Sequence, residues 1–364
     1  MKTNSTLKTT SAAIAAALVL AACGGGGGDS SSAEPISPAS TPSSNTPATG
    51  IAPKTSVPAA SYAVGSFEST AFTMVNAYRA AMGVGMLAQD PILDTAAKAH
   101  ALYLISNMKS GAINELSHDE IAGNANFYSE TTLSRGQKAG ASASEWIGEN
   151  AASGTSQSAD TAASDCIGQA LASVYHLAAL TNTQETVGFG YEPGDTAFPL
   201  YVCVSDFGTY TGVAQAPTFS GFSYAGGQQI PTDLVVHSPY SDEAGVALAM
   251  RAEATNPAPD VGNPGRPVLV RVNAEYGNTL TVSQFTLTDS SGSVVSARLL
   301  VPGGAVAGST ASTVADPNNL LPKGTAVLLP LSPLKANTAY TVSFAGARDG
   351  KAVNSAWRFT TNAN

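Results

Sequence analysis

The 364-residue sequence predicts two folded bodies in tandem, an α/β domain followed by an all-β sandwich, behind a long polar leader. Three observations predict this. Between Ser66 and Leu180 apolar residues recur at helical spacing, and two short apolar strands follow them. Beyond about Asp233 there is no helical run, only short alternating segments separated by turn residues. From Gly24 to about Tyr62 the chain is Gly, Ser, Thr, Pro and Ala with almost no large apolar side chain.

The leader reads as an export signal. Lys2 and Lys8 supply a basic region, and the apolar run Ala12–Ala22 is too short for a lasting membrane span. It ends in Leu20-Ala21-Ala22-Cys23, which looks like a bacterial lipobox, the cysteine being lipidated after cleavage. The alternative is an ordinary signal peptide with an incidental cysteine. On the lipobox reading residues 1–22 are the signal peptide, and Cys23 carries the acyl chains that tie the protein to a membrane, each buried CH₂ contributing roughly 0.8 kcal/mol. Gly24, by analogy with enteric lipoproteins, directs it to the outer membrane or cell surface. Residues 23–64 then form a tether that cannot bury enough surface to offset its ordering entropy. A coil of roughly 40 residues has a typical end-to-end distance of roughly 35 Å.

Three cysteines are present. With Cys23 assigned to lipid, Cys166 and Cys203 remain, an even pair in an exported protein and so an expected disulfide. Two structural thiols are the alternative. The net charge of −9 argues against nucleic acid or anionic lipid as an electrostatic partner.

The first folded domain is placed at 65–216. Ala71, Met74, Val75, Tyr78 and Met82 lie at helical spacing, with Gly83 as a stop. Asp90 followed by Pro91 is a start signal, a capping side chain before a residue with preset φ. In the helix that follows, Leu93, Ala96, Ala97, His100, Leu104 and Met108 form one stripe ending near Gly111. A third helix is expected from about Ala159 to Leu180. Thr186–Glu192 and Phe198–Gly208 read as strands, with Pro193, Gly194 and Asp195 turning between them.

This domain spends two of the chain's four histidines on polar settings, His118 and His176, with Glu149 between them. Two imidazoles and a carboxylate are the ligand types of a three-ligand zinc site with an open position. Each residue also has a plainer reading. His118 would be a solvated loop side chain, Glu149 a loop anchor accepting backbone N–H bonds, and His176 a cation favoured near a helix end. His100 lies on the apolar stripe and reads as a hydrogen-bonded core histidine, and His237 carries no signal. No H-E-x-x-H helix and no G-x-S-x-G elbow occurs. Only Glu149 has a site-like setting, whereas glycosidase chemistry needs two carboxylates about one bond.

The motifs fall in a familiar order. They are Asn76, Arg79, Gly85, Leu87 and Asp90; His118 after Ser117; Arg135, Ala139 and Gly140; Gly148-Glu149-Asn150; His176; and Val187-Gly188-Phe189-Gly190. Together they resemble the CAP superfamily (cysteine-rich secretory, antigen-five and pathogenesis-related proteins) in its bacterial SCP-like form. The resemblance covers well under half of the chain. Departures are visible: Ser173, Val174 and Tyr175 replace a Ser-Pro-Gly before the second histidine, Leu177 replaces an Arg, and Tyr201, Val202 and Cys203 replace a Trp-Thr-Gln. Eukaryotic members carry two Glu and two His in their cleft. Here Glu145 and Glu120 are candidates for a second Glu, with no motif behind either.

The resemblance implies a CAP-type α/β/α sandwich with a binding cleft at His118, Glu149 and His176 that takes a lipid or a protein partner at the cell envelope. The rival is a metal-assisted, peptidase-like hydrolase in which a divalent cation such as zinc is held by His118 and His176, with Glu149 as ligand or base. A third reading leaves the trio bracing a loop.

After a linker at 217–232, the second domain is placed at 233–364. Phe285 and Leu287 alternate ahead of a turn at Ser291-Gly292; Tyr340, Val342 and Phe344 share a face; Asp349-Gly350 is a hairpin turn leading to Trp357 and Phe359. Leu334 and Tyr340 resemble the corner residues of bacterial immunoglobulin-like modules. That likeness implies a spacer or an adhesion role.

Overall fold

The computed structural model describes residues 50–156, 158–213, 215–218, 226–274 and 278–363. The expected signal peptide, Cys23 and most of the stretch read as a tether lie outside these residues. Five helices, α1 (Phe67–Met82), α2 (Pro91–Ser110), α3 (Thr132–Ala139), α4 (Ala159–Leu171) and α5 (Tyr175–Leu180), accompany four strands, β1 (Ala88–Gln89), β2 (Trp146–Thr155), β3 (Thr186–Glu192) and β4 (Leu200–Thr209). The sheet order is β1-β3-β4-β2, with β2 at the edge and antiparallel to β4.

Local signals explain the helix ends. Asp90 accepts a bond from the Ile92 N–H ahead of Pro91, and Gly83 and Gly111 close α1 and α2 at positive φ. Alternation along β4 then sorts the layers. Tyr201, Cys203 and Phe207 pack with Phe67, Ala71 and Val75 of α1 and Ala163 and Ile167 of α4, while Val202 and Val204 pack with Ala97, Ala101 and Leu104 of α2. The result is the α/β/α sandwich. Gly188 and Gly190 let α2 lie directly on β3, since a Cβ at either would come within 2.2 Å of α2 backbone atoms. The cysteine pair is a disulfide joining α4 to β4.

Three features depart from the sequence reading. Gly50–Val64, read as tether, lies against the first domain: Ile51 N donates to Gly227 O at 2.9 Å, and Tyr62 Oη donates to Asp94 Oδ1 at 2.6 Å. The Tyr62 ring meets Phe72 and Phe189 edge-on, a contact that a compositional reading of this stretch misses. The sequence reading places no element at 132–139, where the chain forms α3, capped reciprocally by Thr131 and Ser134. The expected single helix over 159–180 is two, broken at Ala172–Val174, because the N–H groups of Val174, Tyr175 and His176 all donate to Glu253 rather than to the preceding turn.

The second domain is a β-sandwich. One sheet has the order β10 (Thr313–Ala315), β9 (Ala297–Val301), β11 (Thr325–Pro330), β7 (Val268–Arg271), β5 (Val236–Ser238). The other runs β6 (Glu243–Val246), β13 (Lys351–Thr361), β12 (Ala339–Arg348), β8 (Leu280–Asp289). Asp349 and Gly350, both at positive φ, form the two-residue turn between β12 and β13. Tyr340 Oη accepts from Lys335 N at 2.8 Å beside buried Leu334, pinning a corner.

The two domains share a core. Tyr78, Met82, Val174, Tyr175 and Leu177 pack in one buried cluster with Val236, Leu269, Leu300, Val327 and Leu329. Polar pairs cross it as well: Tyr78 Oη lies 2.6 Å from Ser238 Oγ, and Tyr175 Oη donates to Asp316.

Candidate functional site

Glu149 lies on edge strand β2, opposite Asp206 of β4, so both side chains project to the layer that carries α2 and α3. There it joins a buried polar cluster. Its Oε1 is 2.7 Å from His118 Nδ1 and 3.6 Å from His100 Nε2, and its Oε2 accepts from Arg135 Nη2 at 2.7 Å. His100 Nδ1 lies 2.9 Å from Glu120 Oε1, and Glu120 Oε2 accepts from Tyr128 N at 2.6 Å. His100 is thus a hydrogen-bonded interior histidine, as its place on the apolar stripe predicts, and Glu120 is the second glutamate of the cluster. Glu145 is elsewhere, facing Asp90 and Glu185, and burial with those two charges pushes it up to about 7.

The electrostatics of the cluster follow from the Arg135 charge. Burial alone would raise Glu149, but Arg135, His100 and His118 outweigh it and hold the carboxyl well below its ordinary range. Burial, and next the Glu149 charge, push Asp206 well above the usual carboxylate range, so the strand-paired acids divide into one anion and one neutral acid. For His118, burial works to lower the pKa, and the bond and charge of Glu149 win and raise it.

The structure brings His118 and Glu149 into contact but pairs His176 differently. His176 Nδ1 lies 3.1 Å from Oε1 of Glu253, a residue of the loop between β6 and β7 in the second domain. His118 and His176 nevertheless line one cavity of about 260 Å³ beside β2, with Leu116, Asn150, Ile167, Leu180 and the strap Arg251–Thr255 as other walls. Their side chains are 47% and 22% exposed.

As zinc donors the trio is poorly disposed. Glu149 has one oxygen on a guanidinium and the other on His118 Nδ1, and among the described residues no cluster of three or more His, Cys, Asp or Glu is placed to hold a metal ion. What the arrangement offers chemically is two imidazoles in one cavity lining, each with Nδ1 beside a buried carboxylate. Arg135 is present in the sequence motif as a marker of the family's pattern, but its partnership with Glu149 is not. Glu253 has no signal at all, lying in an irregular stretch rich in Pro and Ala.

An α/β/α sandwich with a histidine–glutamate cleft at its edge strand defines the class of the first domain. Residues 72–207 match the model of the cysteine-rich secretory protein family, CAP, and this domain belongs to the CAP superfamily. No curated protein matches the chain.

Proposed function

We propose that this protein is a binding protein of the bacterial cell envelope, exported and anchored through lipidated Cys23, whose CAP domain receives a segment of a protein partner in the cavity between His118 and His176. The observation that carries this reading is the cavity itself, a half-open space with apolar walls at Leu116, Ile167 and Leu180 and two imidazoles in its lining. Its volume, about 260 Å³, falls below the roughly 300–1,000 Å³ typical of pockets for drug-sized ligands. A side chain or chain end of a polypeptide fits such a space better than a whole lipid or sterol. Binding rather than hydrolysis is favoured because Glu149, the acid the hydrolase reading needs as ligand or base, is buried behind the cavity wall and engaged by Arg135 and His118.

The test uses the full chain with Cys23→Ser, titrated separately with a mixture of short peptides and with fatty acid or cholesterol in detergent, while the imidazole resonances of His118 and His176 are followed by NMR. Shifts with peptides alone are expected. Shifts with the lipids alone would replace the protein partner by a lipid, and no shift with either would overturn the binding role of the cavity.

A further inference from the structure

His176 belongs to the CAP domain, yet the group that orients it belongs to the sandwich. Glu253 reaches out of the β6–β7 loop with only 2% of its side chain exposed, and its carboxylate accepts from Val174 N at 2.8 Å, Tyr175 N at 3.0 Å and His176 N at 2.9 Å. A carboxylate gripped by three backbone donors does not swing. The strap is tied down again two residues earlier, where Arg251 N donates to Ala172 O at 3.0 Å and Arg251 Nε to Gln169 Oε1 at 3.2 Å.

We propose that Glu253 is a positioning residue of the cleft, turning His176 so that Nδ1 faces its carboxylate and Nε2 faces the cavity, which makes the binding site a composite of the two domains. Nδ1 lies 3.1 Å from the carboxylate oxygen that also accepts the His176 backbone N–H, and two lone pairs at that distance would repel, which favours the ring proton on Nδ1. Neutral His176 is therefore the Nδ1–H tautomer and presents an acceptor at Nε2. His118 is arranged in the same sense by Glu149, 2.7 Å from its Nδ1. Each domain thus supplies one buried carboxylate that aims one imidazole. The sandwich, on this account, is a working wall of the site and not a spacer. The purpose of this positioning rests on the cavity being the binding site; the tautomer does not.

The experiment is a long-range ¹⁵N–¹H correlation of the imidazoles in the ¹⁵N-labelled full chain, comparing wild type with Glu253→Ala and Glu253→Gln. In wild type His176 is expected as the Nδ1–H tautomer. Glu253→Ala should turn Nε2–H from the minor to the major form while the His118 signals stay in place, and Glu253→Gln, which keeps one acceptor oxygen, should restore Nδ1–H. An Nε2–H tautomer in wild type would overturn the proposal. So would an unchanged tautomer in a Glu253→Ala protein whose remaining spectrum is native. Should the alanine variant fail to fold, the wild-type tautomer decides alone. None of these readouts uses a ligand, so failure here is distinct from failure of the peptide titration.

Discussion

Arg135 Nη2 lies 2.7 Å from Glu149 Oε2 with both side chains out of solvent, and this pair fixes what the cleft can do. It keeps the glutamate ionised and gives the buried guanidinium its nearest opposite charge. Breaking one partner of a buried pair strands the other's charge, which costs roughly 3–5 kcal/mol. Glu149→Gln should therefore lower stability by about 3 kcal/mol, the low end of that range because Asp206 and Glu120 also face Arg135. Urea unfolding followed by circular dichroism checks this, and a change below about 0.5 kcal/mol, that of an ordinary surface substitution, would refute it.

The same glutamate sets the charge of His118. Its pKa in the folded protein is raised above the ordinary 6.5, so the pairing stabilises fully below that value and is lost as pH rises through the folded midpoint. Because His118 is half exposed, the contribution is small, about 0.5 kcal/mol. An NMR titration should place the His118 midpoint above the ordinary value and show it falling in Glu149→Gln. A midpoint unmoved by that substitution would detach His118 from Glu149 in solution.

Glu145 gives a pH dependence of the same sign from a different cause, a carboxylate that burial and like charges disfavour. Its carboxyl ordinarily titrates at 4.5 and is pushed to about 7 in the fold, so the native state binds the extra proton between those values and stability falls as pH rises through that window. At about 1.4 kcal/mol per unit, discounted for partial solvent access, Glu145→Gln should stabilise the protein by about 1–3 kcal/mol at pH 8 and change little at pH 4. Equal effects at the two pH values would show that the carboxyl is not the cause.

How much of this was legible in the sequence depends on range. The helix caps at Asp90 and Gly111, the Asp349-Gly350 turn and the strand β4 are written within a few residues, and they appear where the pattern puts them. His118 and Glu149 were legible as a pair because a motif order carried them. The partner of His176 was not. Glu253 lies 77 residues further along, in a loop with neither helical nor strand period, and only the docking of two domains brings it near. Tyr62 fails for a related reason: one aromatic ring in a Pro/Ser-rich stretch anchors a segment whose composition argues for disorder.

The disulfide acts mainly on the unfolded chain. Cys166 and Cys203 are 37 residues apart, and closing a loop of that length is worth about 4 kcal/mol in the chain-entropy model. Urea unfolding with and without a reductant should differ by about that amount. Equal curves would mean that the thiols are unpaired in solution.

The shared core between the domains makes a further demand, on cooperativity. Leu177 of α5 is fully buried in one cluster with Leu269 and Val327 of the sandwich, so neither domain can shed this face without the other. The chain's two tryptophans report the two sides separately, Trp146 from β2 and Trp357 from β13. In Trp146→Phe and Trp357→Phe proteins, each with one remaining reporter, fluorescence should give coincident urea transitions. Adding Leu177→Ala should move both traces together by about 2–5 kcal/mol, the cost of a buried leucine truncated where the surroundings cannot collapse. Were only the Trp146 trace to move, the domains would unfold as independent bodies. Glu253 would then be a contact between neighbours that come apart, and the cleft would lose its second carboxylate whenever they did.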